Sequence, residues 1–230
     1  MLSSIKKDIR FIINFPAMKI ADFLVIADIH LGITREIYEA GVRLPSQVEN
    51  LSDRINYLLK KTKTKNLIII GDLRHRIPIP SFQEENEVPE FIRKINAYQI
   101  ILVKGNHDGN IESLLNDTNV IVKPWYEISD YIFLHGHTKL PETSAKKIVI
   151  AHNHPGIKFK DKLGNSYVEP VWIKGFYDGR ELIIMPCFNE LAGTFPVNEK
   201  KEFHGPVAKK IELPRAYLID GIELGLLESL

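Results

Sequence analysis

The chain has 230 residues, 44% of them apolar and 26% charged, and its 30 basic and 29 acidic side chains leave a net charge of +1. The apolar share excludes disorder as the main state. The single cysteine, Cys187, excludes a disulfide framework and a thiolate zinc cluster. The near-zero charge gives no global pull toward nucleic acid or membrane.

Residues 11–18 form an apolar run that Asn14 and Pro16 interrupt and Lys19 ends. It is too short and broken for a secretory segment. No uncharged stretch approaches the roughly 18 residues of a membrane span. The expectation is a cytoplasmic protein with no membrane partner. Residues 23–27 (FLVIA) open a series of apolar, β-branched runs that predict buried strands. The others are 67–70 (LIII), 100–103 (IILV), 131–134 (YIFL) and 148–151 (IVIA). Between them the period becomes helical. In residues 45–61, Val48, Leu51, Ile55 and Leu58 share one face. In residues 84–98, Val88, Phe91, Ile92 and Ile95 do the same, with Glu84, Glu85, Glu87 and Glu90 near the start, where the helix dipole favours acids. A short helix is expected over 109–116. After Tyr167 the pattern turns to strands: 171–177 and 181–185 flank Asp178-Gly179, a strong hairpin signal. Residues 206–213 and 216–219 read as further strands. No Gly/Ser/Pro-rich linker divides the chain. It reads as one domain over residues 1–230 with two sheets, α/β at first and β-rich from 167 to 230.

Eight histidines are present, and seven fall within residues 30–154. Each of the five early strands leads directly into polar residues of one kind. They are Asp28-Ile29-His30, Gly71-Asp72, Gly105-Asn106-His107-Asp108, His135-Gly136-His137 and His152-Asn153-His154. Sites in open α/β folds assemble at the carboxyl ends of strands. Residues two apart on extended chain point the same way, so Asp28 with His30, and His152 with His154, can each present two ligands to one side. Asp72, alone behind Gly71, suits a carboxylate that bridges two cations. Oxygen and imidazole donors without thiolate suit Mn, Fe, Zn, Co or Ni. Singly, each feature has a plainer reading: a histidine after a strand is usually a loop residue, and Gly-Asp is a common turn. Five such events, each directly after an apolar run, are not explained that way.

This ordered pattern resembles the calcineurin-like metallophosphoesterase superfamily, whose signature runs D-x-H, G-D, G-N-H-D, H and G-H-x-H. The stretches ADIHLGI, GVRLPSQVENL, GDLRHR, FNELAGT and LIDGIELG also resemble its Icc-like, ligase-associated phosphoesterase group. The resemblance implies an α/β, four-layer αββα sandwich of two mixed β-sheets flanked by helices. It implies two divalent metal ions, manganese first. One is held by Asp28, His30, Asp72 and His154, the other by Asp72, Asn106, His135 and His152. It makes His107 the catalytic histidine facing the substrate phosphate, with Asp108 orienting its imidazole. The implied reaction is hydrolysis of a phosphodiester or phosphomonoester by a metal-bridging hydroxide. Nucleic acid or a nucleotide is the favoured substrate, on family association alone. Two departures stand out. Ala151 replaces the usual glycine before H-x-H. Gly71-Asp72-Leu73-Arg74-His75-Arg76 lacks the second aspartate of phosphoprotein phosphatases.

Other residues stay open. His137 reads as a neighbour of the ligands or as a loop residue, and His75 as a supporting residue or a phosphate contact. Arg74 and Arg76 read as a solvated loop, with phosphate contact the alternative. His204 has no assignment. Lys60, Lys61, Lys63 and Lys65 end a predicted helix, where cations complement the dipole, and lack the interleaved aromatics of single-strand binders. Trp125, Trp172 and Phe176 read as core, with a substrate wall the alternative. Two other function classes compete with this reading. A binuclear amidohydrolase also uses H-x-H, but opens with it on a barrel of repeated βα units. A non-catalytic, metal-stabilised partner-binding subunit would be expected to have lost ligands, and none is lost here.

Overall fold

Apolar β-branched runs in the first half build a sheet whose central strands are buried on both faces. The computed structural model describes residues 8–116 and 118–230. Six strands lie side by side in chain order: β1 (Arg10–Phe11), β2 (Met18–Ile20), β3 (Phe23–Ala27), β4 (Asn66–Ile70), β5 (Gln99–Val103) and β6 (Val120–Lys123). β3 to β6 are parallel, and β1 and β2 add antiparallel at one edge. Ala27 pairs with Ile70, and Ile70 with Val103. Three strands therefore end level, and the loops that follow them start from one rim.

The crossovers carry α1 (Ile33–Glu39), α2 (Val48–Thr62) and α3 (Phe82–Lys94). α2 buries Val48, Leu51, Ile55 and Leu58, and α3 buries Val88, Phe91 and Ile92, as their spacing predicted. Each such side chain contributes roughly 1.5–3 kcal/mol on burial. α3 begins at a capping box in which Ser81 accepts from the Glu84 N–H. It stops at Lys94, four residues short of expectation, because Ile95 is extended (ψ 123°) and turns the chain into β5. The short helix expected over 109–116 is a single 3-10 turn, Ile111–Leu114.

The second sheet holds β7 (Tyr126–Ile128), β8 (Tyr131–Phe133), β9 (Lys147–Ile150), β10 (Pro155–Lys160), β11 (Ser166–Tyr177), β12 (Arg180–Ile184), β13 (Phe195–Pro196), β14 (Glu212–Leu218) and β15 (Glu223–Leu226). Its order is β13-β10-β11-β12-β9-β8-β7, with β14 on β11 and β15 on β14. The Asp178-Gly179 hairpin forms as read: both residues are left-handed (φ 50° and 71°), and Tyr177 pairs with Arg180. Residues 206–213 are not one strand. Ala208–Lys210 is a 3-10 turn, and β14 starts at Glu212.

Strand alternation distributes the apolar residues between layers. Leu24, Ile26, Leu67, Ile69, Ile100 and Leu102 face α2 and α3. Their neighbours Val25, Ala27, Ile68, Ile70, Ile101 and Val103 face the second sheet, meeting Phe133, Val149, Ala151, Trp172 and Ile183. Trp172 is thus core rather than a substrate wall. The outer face of the second sheet is covered by Val207, Ala208, Leu227 and Val197 of the short α4 (Val197–Lys200). The fourth layer is therefore thinner than the resemblance implies. Two mixed sheets packed face to face exclude the amidohydrolase barrel. Among the described residues no helix is long and apolar enough to cross a membrane.

Candidate metal centre

The loops after β3, β4, β5, β8 and β9 converge at the rim where those strands end. Asp28 (φ 54°), His30 (49°), Asp72 (46°), His152 (71°) and His154 (41°) all have left-handed backbones, although none is glycine. Such conformations cost on the order of 1–3 kcal/mol each and persist only where the surroundings hold them. Here the loops hold one another. The His30 N–H donates to the Asp72 carbonyl (2.8 Å), the Leu31 N–H to the Leu73 carbonyl (2.9 Å) and the His75 N–H to the Leu31 carbonyl (2.9 Å). Contact explains the motif glycines: a Cβ at Gly71 would overlap the His135 ring, and one at Gly105 the Asp72 carboxylate.

The side chains gather in three overlapping groups: Asp28, His30 and His154; Asp72, His135 and His152; and His30, His75 and His107. Within each group the candidate ligand atoms all lie within 4.8 Å of one another. Asp28, His30, Asp72 and His135 are buried. Nε2 of His30 lies 3.3 Å from Nε2 of His154. Asp72 Oδ2 lies 3.4 Å from His135 Nε2, 3.8 Å from His30 Nε2 and 3.9 Å from His107 Nε2, so one oxygen faces all three groups. Asp28 also spans groups, with Oδ1 3.1 Å from His135 Nε2 and Oδ2 3.4 Å from His154 Nε2. Its Oδ2 accepts from the His152 N–H (3.2 Å), and Asp72 Oδ1 accepts from the His107 N–H (2.9 Å). Asn106 rides on the same β5 loop and is exposed.

Burial pushes the Asp72 carboxyl up. Burial works against an ionised Asp28 too, yet His154 and His135 hold its carboxyl well below the usual range. Asp28 in turn pushes His154 up to about 12 in spite of burial. Burial and nearby His135 bring His152 and His137 each down to about 4. Burial lowers His30, whereas the Asp28 and Asp72 carboxylates raise His135 against its burial. A proton on His154 thus sets positive charge against the buried Asp28 carboxylate where a divalent cation would do the same. The donor set, carboxylate oxygen and imidazole nitrogen, fits such a cation.

The structure gives several residues other partners than the sequence suggested. Asp108 is not spent on the His107 imidazole: its carboxylate accepts from the main-chain N–H groups of Leu73 (2.9 Å), Arg74 (3.4 Å) and Gly105 (2.8 Å), tying the β4 and β5 loops together. Burial and neighbouring Asp72 push it up to about 6. His107 Nδ1 instead faces the His75 carbonyl. Arg74 is no solvated residue. It is fully buried, donating to the carbonyls of Arg76, Pro78 (3.0 Å) and Gly109 (2.8 Å). His75 joins the centre, with Nδ1 3.3 Å from His30 Nδ1 and Nε2 2.7 Å from Glu36 Oε2. His137 Nδ1 lies 3.0 Å from His135 Nδ1. Ala151 avoids the left-handed region, so the glycine it replaces is not needed.

Sequence reasoning missed the residues that brace these loops. Buried Glu84 accepts from the N–H groups of His75 (2.8 Å), Arg76 (2.6 Å) and Ser81 (2.6 Å). Its only signal was the S-x-x-E cap. The Cys187 thiol donates to the Asp28 carbonyl (3.0 Å), and Asn189 Nδ2 to the Ile29 carbonyl (2.8 Å). A cavity of about 310 Å³ opens beside the centre between α1 and the β4 loop, lined by Arg35, Glu36, His75, Arg76, Ile77 and His107 among others.

A protein-family model described as calcineurin-like phosphoesterase matches residues 21–185. Among solved structures, the nuclease MPE of Pseudomonas putida aligns with a TM-score of 0.61 at 20% identity, over 94% of this chain and 100% of that one, a likeness of fold. The E. coli phosphoesterase Yfce aligns with a TM-score of 0.41 at 15% identity over 89% and 97% of the two chains, too loosely to carry an argument. No curated protein matches the sequence. The family match, spanning the strands and loops that build this centre, shows that the chain belongs to the calcineurin-like phosphoesterase family, metal-dependent hydrolases of phosphoester bonds.

Proposed function

We propose that the centre holds two divalent cations, manganese first, and hydrolyses phosphodiesters, with nucleic acid or nucleotides as the substrate branch. Asp28, His30, Asp72 and His154 would hold one cation. Asp72, Asn106, His135 and His152 would hold the other. The observation that carries this reading is the single Asp72 oxygen facing ligands of both groups. When bound, the cations supply positive charge against the phosphate oxygens and lower the pKa of a water toward about 7.

The chain's own residues do the rest. His107 Nδ1 faces a carbonyl, which only accepts, so Nδ1 carries a proton and Nε2 is the atom turned to the centre. Protonated at Nε2, His107 can donate to the departing oxygen. Asp108 fixes the loop that carries His107. Asp72 accepts the His107 N–H and so couples that loop to the ligands. The nucleic-acid branch is supported by the shared fold of the Pseudomonas putida nuclease and by the open cavity beside His107.

The test is hydrolysis of a bis-aryl phosphate against a mono-aryl phosphate, each with added Mn²⁺ and with chelator. Activity on the diester that chelator abolishes is the expected result. Activity on the monoester alone would refute the diesterase reading.

A further inference from the structure

The two H-x-H loops leave neighbouring strands β8 and β9. The residue between the second pair, Asn153, is 3% exposed. Its side-chain amide pairs with the main chain of His204: Nδ2 donates to the His204 carbonyl (3.2 Å), and Oδ1 accepts from the His204 N–H (2.6 Å). Nδ2 also donates to the Ala151 carbonyl (3.1 Å) within its own loop. The next residue, Gly205, lies so close to the other loop that a Cβ there would overlap the Gly136 carbonyl oxygen. The Phe195 N–H donates to the His154 carbonyl (2.8 Å). Residues 195–205 therefore touch the main chain of both H-x-H loops.

We infer that Asn153 is a positioning residue for cation binding, and that the main chain of His204 and Gly205 is the template against which it sets His152 and His154. The inference rests on the two-cation reading above. His152 and His154 hang from left-handed backbones (φ 71° and 41°) that a free loop would abandon. Three hydrogen bonds from the residue between them fix the loop and so the direction of both imidazoles. Asparagine suits the task because its planar amide carries donor and acceptor together, as a peptide group does. Aspartate offers no donor to the His204 and Ala151 carbonyls. Support of this kind is what holds ligands within a fraction of an ångström of productive geometry.

The test uses the full chain stripped of metal. Mn²⁺ is titrated in by calorimetry, the Mn²⁺ dependence of bis-aryl phosphate hydrolysis is recorded, and the metal-free protein is melted. Asn153→Leu keeps the size and removes the bonds. It should weaken Mn²⁺ affinity by roughly 10–100-fold, the usual effect of losing a group that orients a ligand. The Mn²⁺ midpoint of activity should move by the same factor, while kcat at saturating Mn²⁺ returns toward the wild-type value. A residue that only stabilised the fold would lower the melting temperature and leave the Mn²⁺ midpoint of the folded protein in place, which would overturn the inference. Gly205→Ala presses on the other loop with Asn153 intact and should also weaken the titration. If Asn153→Leu does not fold, Gly205→Ala decides alone, and wild-type Mn²⁺ binding there overturns the inference. A wild-type chain that binds no divalent cation would instead overturn the two-cation reading beneath it.

Discussion

Titrating a divalent cation into the metal-free chain near pH 7 sets it against the proton on His154. Asp28, with Oδ2 3.4 Å from His154 Nε2, pushes that imidazole up to about 12, although burial opposes the charge. Only a neutral imidazole can ligate, so the proton must leave. His154 is fully protonated between about pH 6 and 9, and its ligation releases one proton. Kd then falls about tenfold per pH unit, or about 1.4 kcal/mol. His152, at about 4, is already neutral in that range and releases none. His135, raised by its carboxylate neighbours, adds to the release rather than subtracting from it. Calorimetry in buffers of different ionisation enthalpy measures the proton count directly. No net release, or a Kd independent of pH across that range, would refute the reasoning, because His154 would be either neutral beforehand or not a ligand. Folding of the metal-free chain depends on pH in the opposite sense. A raised histidine stabilises fully below its unfolded value of about 6.5 and ceases to do so as pH rises through its folded value of about 12. The chelated protein should therefore melt lower at pH 9 than at pH 7.

His107→Gln should lower kcat by roughly 10²–10⁴-fold, the usual contribution of a general acid, while Mn²⁺ calorimetry stays near wild type. Loss of both cations in that variant would make His107 a ligand instead. Gly71→Ala drives a Cβ into the His135 ring at a left-handed φ of 70°. Stability should fall by about 1–3 kcal/mol, and the cation on His135 should be the first lost, as read by melting and by metal stoichiometry. Arg74→Met strips the donors from the Arg76, Pro78 and Gly109 carbonyls. Arg76, Pro78 and Gly109 are exposed, so their carbonyls can turn to water. The cost is that of the lost bonds, about 0.5–1.5 kcal/mol each, measurable by urea unfolding; a neutral result would mean that the loop repacks.

How far the sequence could be read depended on whether a residue's partner was local. The long central strands were legible because each is an unbroken apolar run, and the residues of the candidate centre were legible because each follows such a run directly. β2, at three residues, is held by pairing along β3 and has no pattern of its own. Residues 206–213 carry strand-like composition, but Val207 and Ala208 pack onto the outer face of the second sheet, where a 3-10 turn serves better. Asp108 shows the same limit inside the site. Its position after His107 gives its identity, while its partners, Leu73 and Arg74, come from another loop. Arg74 looked solvated because three carbonyls from two separate loops leave no mark in sequence. Asn153 carries no sequence signal for the same reason: its partner is 51 residues away.

The lysine run at the end of α2 bears on the nucleic-acid branch through its position. Lys60 and Lys61 close α2, and the chain then enters β4 at Asn66, with Asp72 beyond the other end of that strand. Six extended residues span about 20 Å, so these lysines cannot touch a phosphate held at Asp72. Lys61 is also engaged, with Nζ 4.9 Å from the Phe15 ring centre and 5.5 Å from that of Tyr57. The cavity beside His107 is lined by two arginines, Arg35 and Arg76. Arg35 is paired with Glu39 at 2.8 Å, while Arg76 makes no ion pair among the described residues. Under the two-cation reading, the cations would add attraction for a phosphate that a count of side-chain charges leaves out. A net charge of +1 is therefore compatible with the proposed phosphodiester substrate.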